Sequence, residues 1–237
     1  AHGAASVRKK ALQLIVELDH QDAERIARAG LADPDADVRI AAVEALAKLL
    51  REDAHDDLVG LAARHDDEPV RTAAIASLLR FCGLDGMLEG APRLSMLLAS
   101  PAPHARASAA RVLGMVGQAQ LQRALARLLV DSEPEVRRAA LAAAGSVADA
   151  RLLPLLVGAL GDRKLRAAAT KAVVALGEAA VPTLAARLRD TLEPLAVRVA
   201  VPRVLSAIGS ASALTVLAAN VSEPDVRVRQ KILASAS

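Results

Sequence analysis

A dipeptide returns along this chain at a nearly constant interval. Val7-Arg8, Val38-Arg39, Val70-Arg71, Val136-Arg137, Val197-Arg198 and Val226-Arg227 each open an apolar helical pattern, and Ala105-Arg106 and Leu165-Arg166 are degenerate copies. The arginines fall at 8, 39, 71, 106, 137, 166, 198 and 227, with gaps of 29 to 35 residues. A period of about 30 residues holds one helix pair and no self-sufficient core, so apolar faces must be buried by stacking unit on unit. Such arrays present long surfaces, and that constrains function as much as fold.

Residues 131–161 show the grammar of one unit. Asp131 to Glu135 is a turn carrying a helix-capping acid and a proline, which sets where the first helix begins. Val136, Ala139, Ala140 and Ala143 recur at helical spacing. Gly145 is expected to end that helix, and Asp149 to cap a second one, in which Pro154 is tolerable only in the opening turns. Leu152, Leu153, Leu156 and Leu160 form the buried stripe of that second helix. Acidic turns recur before Val38, Val70 and Val226, and Gly117, Gly177 and Gly209 each follow a repeat arginine by 11 residues, where a first helix should close. The expectation is an all-α solenoid of antiparallel helix pairs, about seven repeats and a partial last one, forming a single domain over residues 1–237.

These residues resemble HEAT repeats, the short bacterial kind of about 30 residues that includes the phycobilisome-lyase type. The resemblance is carried by an Asp-x-x-x-x-Val-Arg-x-x-Ala core, seen from Asp33 to Leu46 and from Asp131 to Leu141, and it extends over essentially the whole chain. It implies a binding scaffold whose motif residues are structural. Three departures stand out. Ser100-Pro101-Ala102-Pro103 replaces the acidic turn before Arg106, about three extra residues near 84–90 predict an irregular loop, and Pro202 predicts a kink. The segment Val201 to Leu205 is also similar to HEAT segments fused to bacterial nucleotide-transporter-like membrane proteins. The last unit has a first helix and no second, which suggests a fragment of a longer protein; Ala1-His2-Gly3 reads as a cloning remnant.

Composition narrows the chemistry. Phe81 is the sole aromatic residue, which removes base-stacking platforms and aromatic cages. Cys82 is alone, so no intrachain disulfide forms, and a reducing, cytoplasmic setting is expected. No apolar run reaches the roughly 18 residues of a membrane span, so no direct membrane insertion is expected. The net charge of +3 hides an asymmetry: residues 1–100 hold 12 Lys/Arg against 17 Asp/Glu, and residues 101–237 hold 18 against 10.

No nucleophile, phosphate loop or metalloprotease pattern is present, so neither enzymatic activity nor a cofactor is expected. His55-Asp56-Asp57 and His65-Asp66-Asp67, echoed by Asp19-His20 and Asp22, have metal-binding residue types, yet their positions at helix starts and turns favour capping. The repeat arginines read as a structural ladder to the acidic turns. On the second helices, which line the concave face of HEAT arrays, the positions outside the leucine stripe are Arg25, Arg28, Asp57, Arg64, Arg93, Arg123, Arg127, Arg151, Thr183 and Arg187. Toward the C-terminus that face turns small and apolar at Leu155, Gly158, Ser212 and Thr215. A non-catalytic scaffold that holds a protein or peptide, plausibly an acidic one, is the leading expectation. Two alternatives are salt-sensitive nucleic-acid binding by the basic half and a cytosolic domain tethered to a transporter-like membrane protein.

Overall fold

A computed structural model describes residues 2–18, 20–64 and 66–236 of the chain. Its regular structure is helical, and its contacts divide the chain into two compact units, residues 1–116 and 117–237. Each unit is a stretch of α-solenoid. The first holds α1 (His2–Glu17), α2 (Ala23–Gly30), α3 (Ala36–Leu50), α4 (His55–Arg64), α5 (Glu68–Phe81), α6 (Gly83–Ala99) and α7 (Pro103–Val116). The second holds α8 (Gln122–Leu129), α9 (Pro134–Val147), α10 (Leu153–Ala159), α11 (Arg166–Ala175), α12 (Val181–Arg189), α13 (Leu195–Ile208), α14 (Ala211–Ala219) and α15 (Val226–Ala236). Odd-numbered helices are the first of each repeat and even-numbered helices the second. In unit 1 α3 packs on α1 and α5, and α5 on α7; in unit 2 α11 packs on α9 and α13, and α13 on α15.

Local chemistry sets the helix ends. The Asp35 carboxylate accepts from the Asp37 and Val38 amides (3.0 and 3.3 Å), which satisfies two N–H groups that α3 cannot. Pro69, Pro134, Pro154 and Pro182 sit in first turns, where the missing N–H costs nothing. Gly117, Gly177 and Gly209 follow their first helices with φ of 66°, 55° and 67°, a region that glycine enters without a Cβ clash. The helix pairs bury leucine against alanine. Leu46, Leu58, Leu78 and Leu113 are fully enclosed in unit 1, as are Leu141, Leu156, Leu184 and Leu205 in unit 2. Flat alanine surfaces let the first helices approach closely, so stacking rather than bulk closes the core.

Three expectations change. Residues 84–90 form no loop; they lie in the opening turns of α6, which reaches 17 residues. The insertion therefore lengthens a second helix. Gly145 does not end α9, which continues to Val147 and stops at Ala148 with φ 50°. Gly145 is instead a contact position, where an added Cβ would come 3.2 Å from the Cα of Ala172 on α11. Pro202 lies inside α13, which spans Leu195 to Ile208. Finally, the eighth repeat is out of register by two residues. Val226 is 52% exposed whereas Val228 is fully buried. Arg229 donates to the Glu223 carbonyl (2.9 Å), as Arg39 does to that of Asp33 (2.6 Å), both across six residues. Val228-Arg229 is thus the true copy, 31 residues after Arg198.

Among the described residues, no single helix is long and apolar enough to cross a membrane. The α11–α12 pair passes by length and composition, but it is bent by 116°.

Candidate binding surfaces

The repeat arginines form the expected ladder. Arg39, Arg71, Arg106, Arg137, Arg166 and Arg229 reach back to a carbonyl of the turn before their helices, and several repeat arginines reach forward to an acid in the next turn. Arg8 makes a two-pronged contact with Asp33 (2.7 and 2.8 Å), and Arg39 meets Asp67 at 2.5 Å. Arg137 reaches Asp162 (3.3 Å), and Arg198 reaches Glu223 (2.6 Å) while donating to the Leu188 carbonyl (3.1 Å). The acids in turn accept turn amides: Asp33 from Asp35, Asp131 from Glu133, Asp162 from Lys164 and Glu223 from Asp225. Where the acidic turn is missing, the Ser100 hydroxyl takes its place, accepting the Ala102 amide, and Arg106 holds the Ser100 and Pro101 carbonyls. The guanidinium of Arg8 holds the Asp33 carboxyl below its usual range, and Arg227 holds Asp225 down to about 2. Five donors in a rigid fork explain why arginine occupies this position rather than lysine.

On the second helices of unit 1, most of the predicted positions are internally paired. Arg25 bonds Asp22 (3.2 Å), and Arg28 bonds both Glu24 and Asp57 (2.8 Å each), so Arg28 and Asp57 link α2 to α4. Arg93 is held by Glu89 one turn earlier and lines a cleft of about 360 Å³ with Arg71, Ile75, Met96, Leu97 and His104. The side chain of Arg64 lies outside the described residues, as do Asp19 and His65. In unit 2, Arg151 forks onto Asp149 (2.7 Å), and Arg187 bonds Glu193. Thr183 is half-buried. Arg123 and Arg127 are exposed, and among the described residues they have no ion pair or hydrogen bond.

Other candidate chemistry is accounted for by structure. His55 Nδ1 is hydrogen-bonded to the Asp56 carboxylate (3.0 Å) at the start of α4, its Nε2 is buried without a partner among the described residues, and no group of three or more potential metal ligands occurs among them. Cys82 is buried, and burial pushes its thiol up, away from the reactive thiolate.

Two features of the surface escaped the sequence reading. Large apolar side chains are exposed unevenly: none lies on α3, α5, α7, α9, α11 or α13, whereas α6 exposes Leu84, Met87, Leu88 and Met96, α10 exposes Leu155 and α14 exposes Leu214. The second feature is a set of cations on the first helices of unit 2. Arg163, Lys171, Arg203 and Lys231 are exposed and, among the described residues, make no hydrogen bond or ion pair. A sequence signal existed for two of them, since Lys171 and Arg203 each stand five residues after a repeat arginine and share one helical phase.

The sequence profile of the HEAT-repeat family matches residues 1–79 and 90–173, and the interruption falls on the lengthened start of α6. Among solved structures, the chain is similar to yeast importin-β, Kap95p, in a complex with RanGDP, at a TM-score of 0.50 and 12% identity, over 98% of this chain and 39% of that one. A complex of Kap95 with Nup1 gives 0.50 and 11%, over 98% and 38%. The CpcE–CpcF complex of phycocyanin lyase from a Nostoc species is 21% identical over 90% of this chain and 93% of that one, at a TM-score of 0.40. No curated protein sequence matches the chain.

Proposed function

Because the chain belongs to the HEAT-repeat family, we propose that it is a non-catalytic scaffold that binds a protein or peptide partner through its second helices. The observation that carries this reading is the uneven exposure of apolar side chains. Leu84, Met87, Leu88 and Met96 project from one second helix, whereas the interior first helices keep all their large apolar groups covered. Exposed apolar groups in such a cluster cost solubility and are characteristic of surfaces that are covered by a partner. Arg123 and Arg127 add charge without a partner among the described residues, and Gly158 has open space beside it that leaves room for a ligand backbone. Similarity of fold to Kap95p, which is seen with RanGDP and with Nup1, fits a protein-binding role. Pairing within the chain removes Arg25, Arg28, Arg93, Arg151 and Arg187 from the strongest contributors, so the contact we propose is more apolar than arginine counting implies.

The test is affinity capture from a nuclease-treated lysate with three baits: the wild type, Leu84→Asp/Leu88→Asp, and Arg123→Glu/Arg127→Glu. Proteins retained by the wild type should be lost or strongly depleted with at least one variant, with helical circular dichroism unchanged. Equal retention by all three baits overturns the second-helix surface.

A further inference from the structure

The first helices of unit 2 carry a second and chemically different feature. Between α11, α13 and α15 lies a depression of about 480 Å³ whose polar lining is Arg163, Arg166, Thr170, Lys171, Arg203 and Lys231, without one carboxylate. Arg163 comes from the turn before α11, Arg166 and Lys171 from α11, Arg203 from α13 and Lys231 from α15. The sequences of α11, α13 and α15 contain no Asp or Glu, so the elements that form the depression cannot neutralise it. The neighbouring acids are already engaged. Asp162 accepts the Lys164 amide and pairs with Arg137, Asp190 accepts the Leu192 amide, and Asp225 pairs with Arg227. Arg166 is fixed in place by the Leu160 and Gly161 carbonyls (2.8 and 3.4 Å), whereas the other four cations are free to turn inward.

Several cations around one depression favour an anion that they can share. The floor of the depression, Ala167, Val199 and Ala200, is apolar and offers no internal counter-charge. Its volume falls in the range of small-molecule sites, roughly 300 to 1,000 Å³. An extended backbone would instead need cations spread along a track, and the lining of the depression has no aromatic ring on which a base could stack. We propose that this depression is a binding site for a compact anion bearing two or more phosphate groups, gripped by Arg163, Lys171, Arg203 and Lys231 around the fixed guanidinium of Arg166. The site lies on helices other than those of the protein-binding surface and does not depend on that reading.

Inorganic tripolyphosphate is the probe, with orthophosphate and a short DNA duplex as competitors, read by isothermal titration calorimetry at low salt. The wild-type chain should bind one tripolyphosphate, rise in thermal midpoint with it, and prefer it to orthophosphate. Arg203→Gln/Lys231→Gln should weaken binding by about tenfold for each charge removed. Lys10→Gln/Lys48→Gln, which removes the same charge from exposed positions of unit 1, should bind as the wild type does. Both substituted pairs are exposed, and circular dichroism verifies the fold. Phosphatidylcholine vesicles doped with a bisphosphorylated phosphoinositide separate the sources of the anion: co-flotation assigns it to a lipid headgroup, and tripolyphosphate binding without co-flotation assigns it to a soluble molecule. Absence of binding heat, unchanged affinity in Arg203→Gln/Lys231→Gln, or a duplex bound more tightly than tripolyphosphate overturns the proposal.

Discussion

Arg198 shows how much one position of the ladder carries. Its guanidinium and the Glu223 carboxylate are only 7% and 8% exposed, and the arginine also closes the Leu188 carbonyl. Glu223→Gln leaves a buried cation without its counter-charge and should cost about 3 to 5 kcal/mol in a urea titration, whereas Arg198→Met/Glu223→Met should cost much less. A second set of carboxylates acts through pH instead. Asp33, Asp149, Glu178 and Asp225 all titrate below their usual range, with hydrogen bonds from Arg8, Arg151, Ser210 and Arg227 as the respective leading causes. A depressed carboxylate adds stability that is complete above about pH 4 and is lost as pH falls through the folded-state value. The thermal midpoint should therefore hold steady down to about pH 4.5 and fall toward pH 2. Arg227→Ala should remove part of that fall, and a curve unchanged by it would show that the Asp225 contact contributes nothing.

At the level of the element, glycine decides how closely helices meet. An added Cβ at Gly86, in the first turn of α6, would lie 2.3 Å from the Leu78 carbonyl oxygen of α5 and 2.5 Å from Cys82 Cβ. Gly86→Ala must push α6 away from α5 and should destabilise by about 1 to 3 kcal/mol. Gly60, in the middle of α4, has open space around it, so Gly60→Ala should stabilise by roughly 0.5 to 1 kcal/mol through helix propensity. Comparing the two variants by chemical denaturation isolates close approach from propensity. The same distinction explains Gly145, whose helical pattern looks like a terminus and whose role is contact with Ala172.

For the whole molecule, stability follows the stacking. α3 and α5 in unit 1, and α11 and α13 in unit 2, are covered by first helices on both sides, whereas in this 237-residue chain α1 and α15 each pack on one. Repeat arrays gain stability from nearest-neighbour interfaces, so openings are cheapest where one interface is missing. Native-state hydrogen exchange should find the amides of α1 and α15 at least about tenfold less protected than those of α3 and α11. Uniform protection along the chain would contradict the nearest-neighbour picture.

Periodicity alone determined the fold of this protein. A stripe that recurs every 29 to 35 residues, punctuated by capping acids, prolines and glycines, admits stacked helix pairs and little else. It also determined the ladder, because the arginines and the turn acids recur in fixed phase. Register at the eighth repeat was not legible, since Val226-Arg227-Val228-Arg229 offers the dipeptide twice and only burial of Val228 chooses between them. The insertion at 84–90 was equally ambiguous: extra residues lengthen a helix or a loop at similar local cost, and packing of Gly86 and Gly90 on α5 settles it. Surface chemistry was the least legible. A sequence counts charges but does not show which are already paired, and pairing is a property of neighbours brought together across repeats. Tertiary structure therefore decided that Arg28 pairs with Asp57, that Arg123 and Arg127 have no partner among the described residues, and that cations of α11, α13 and α15 line one depression whose lining holds no carboxylate.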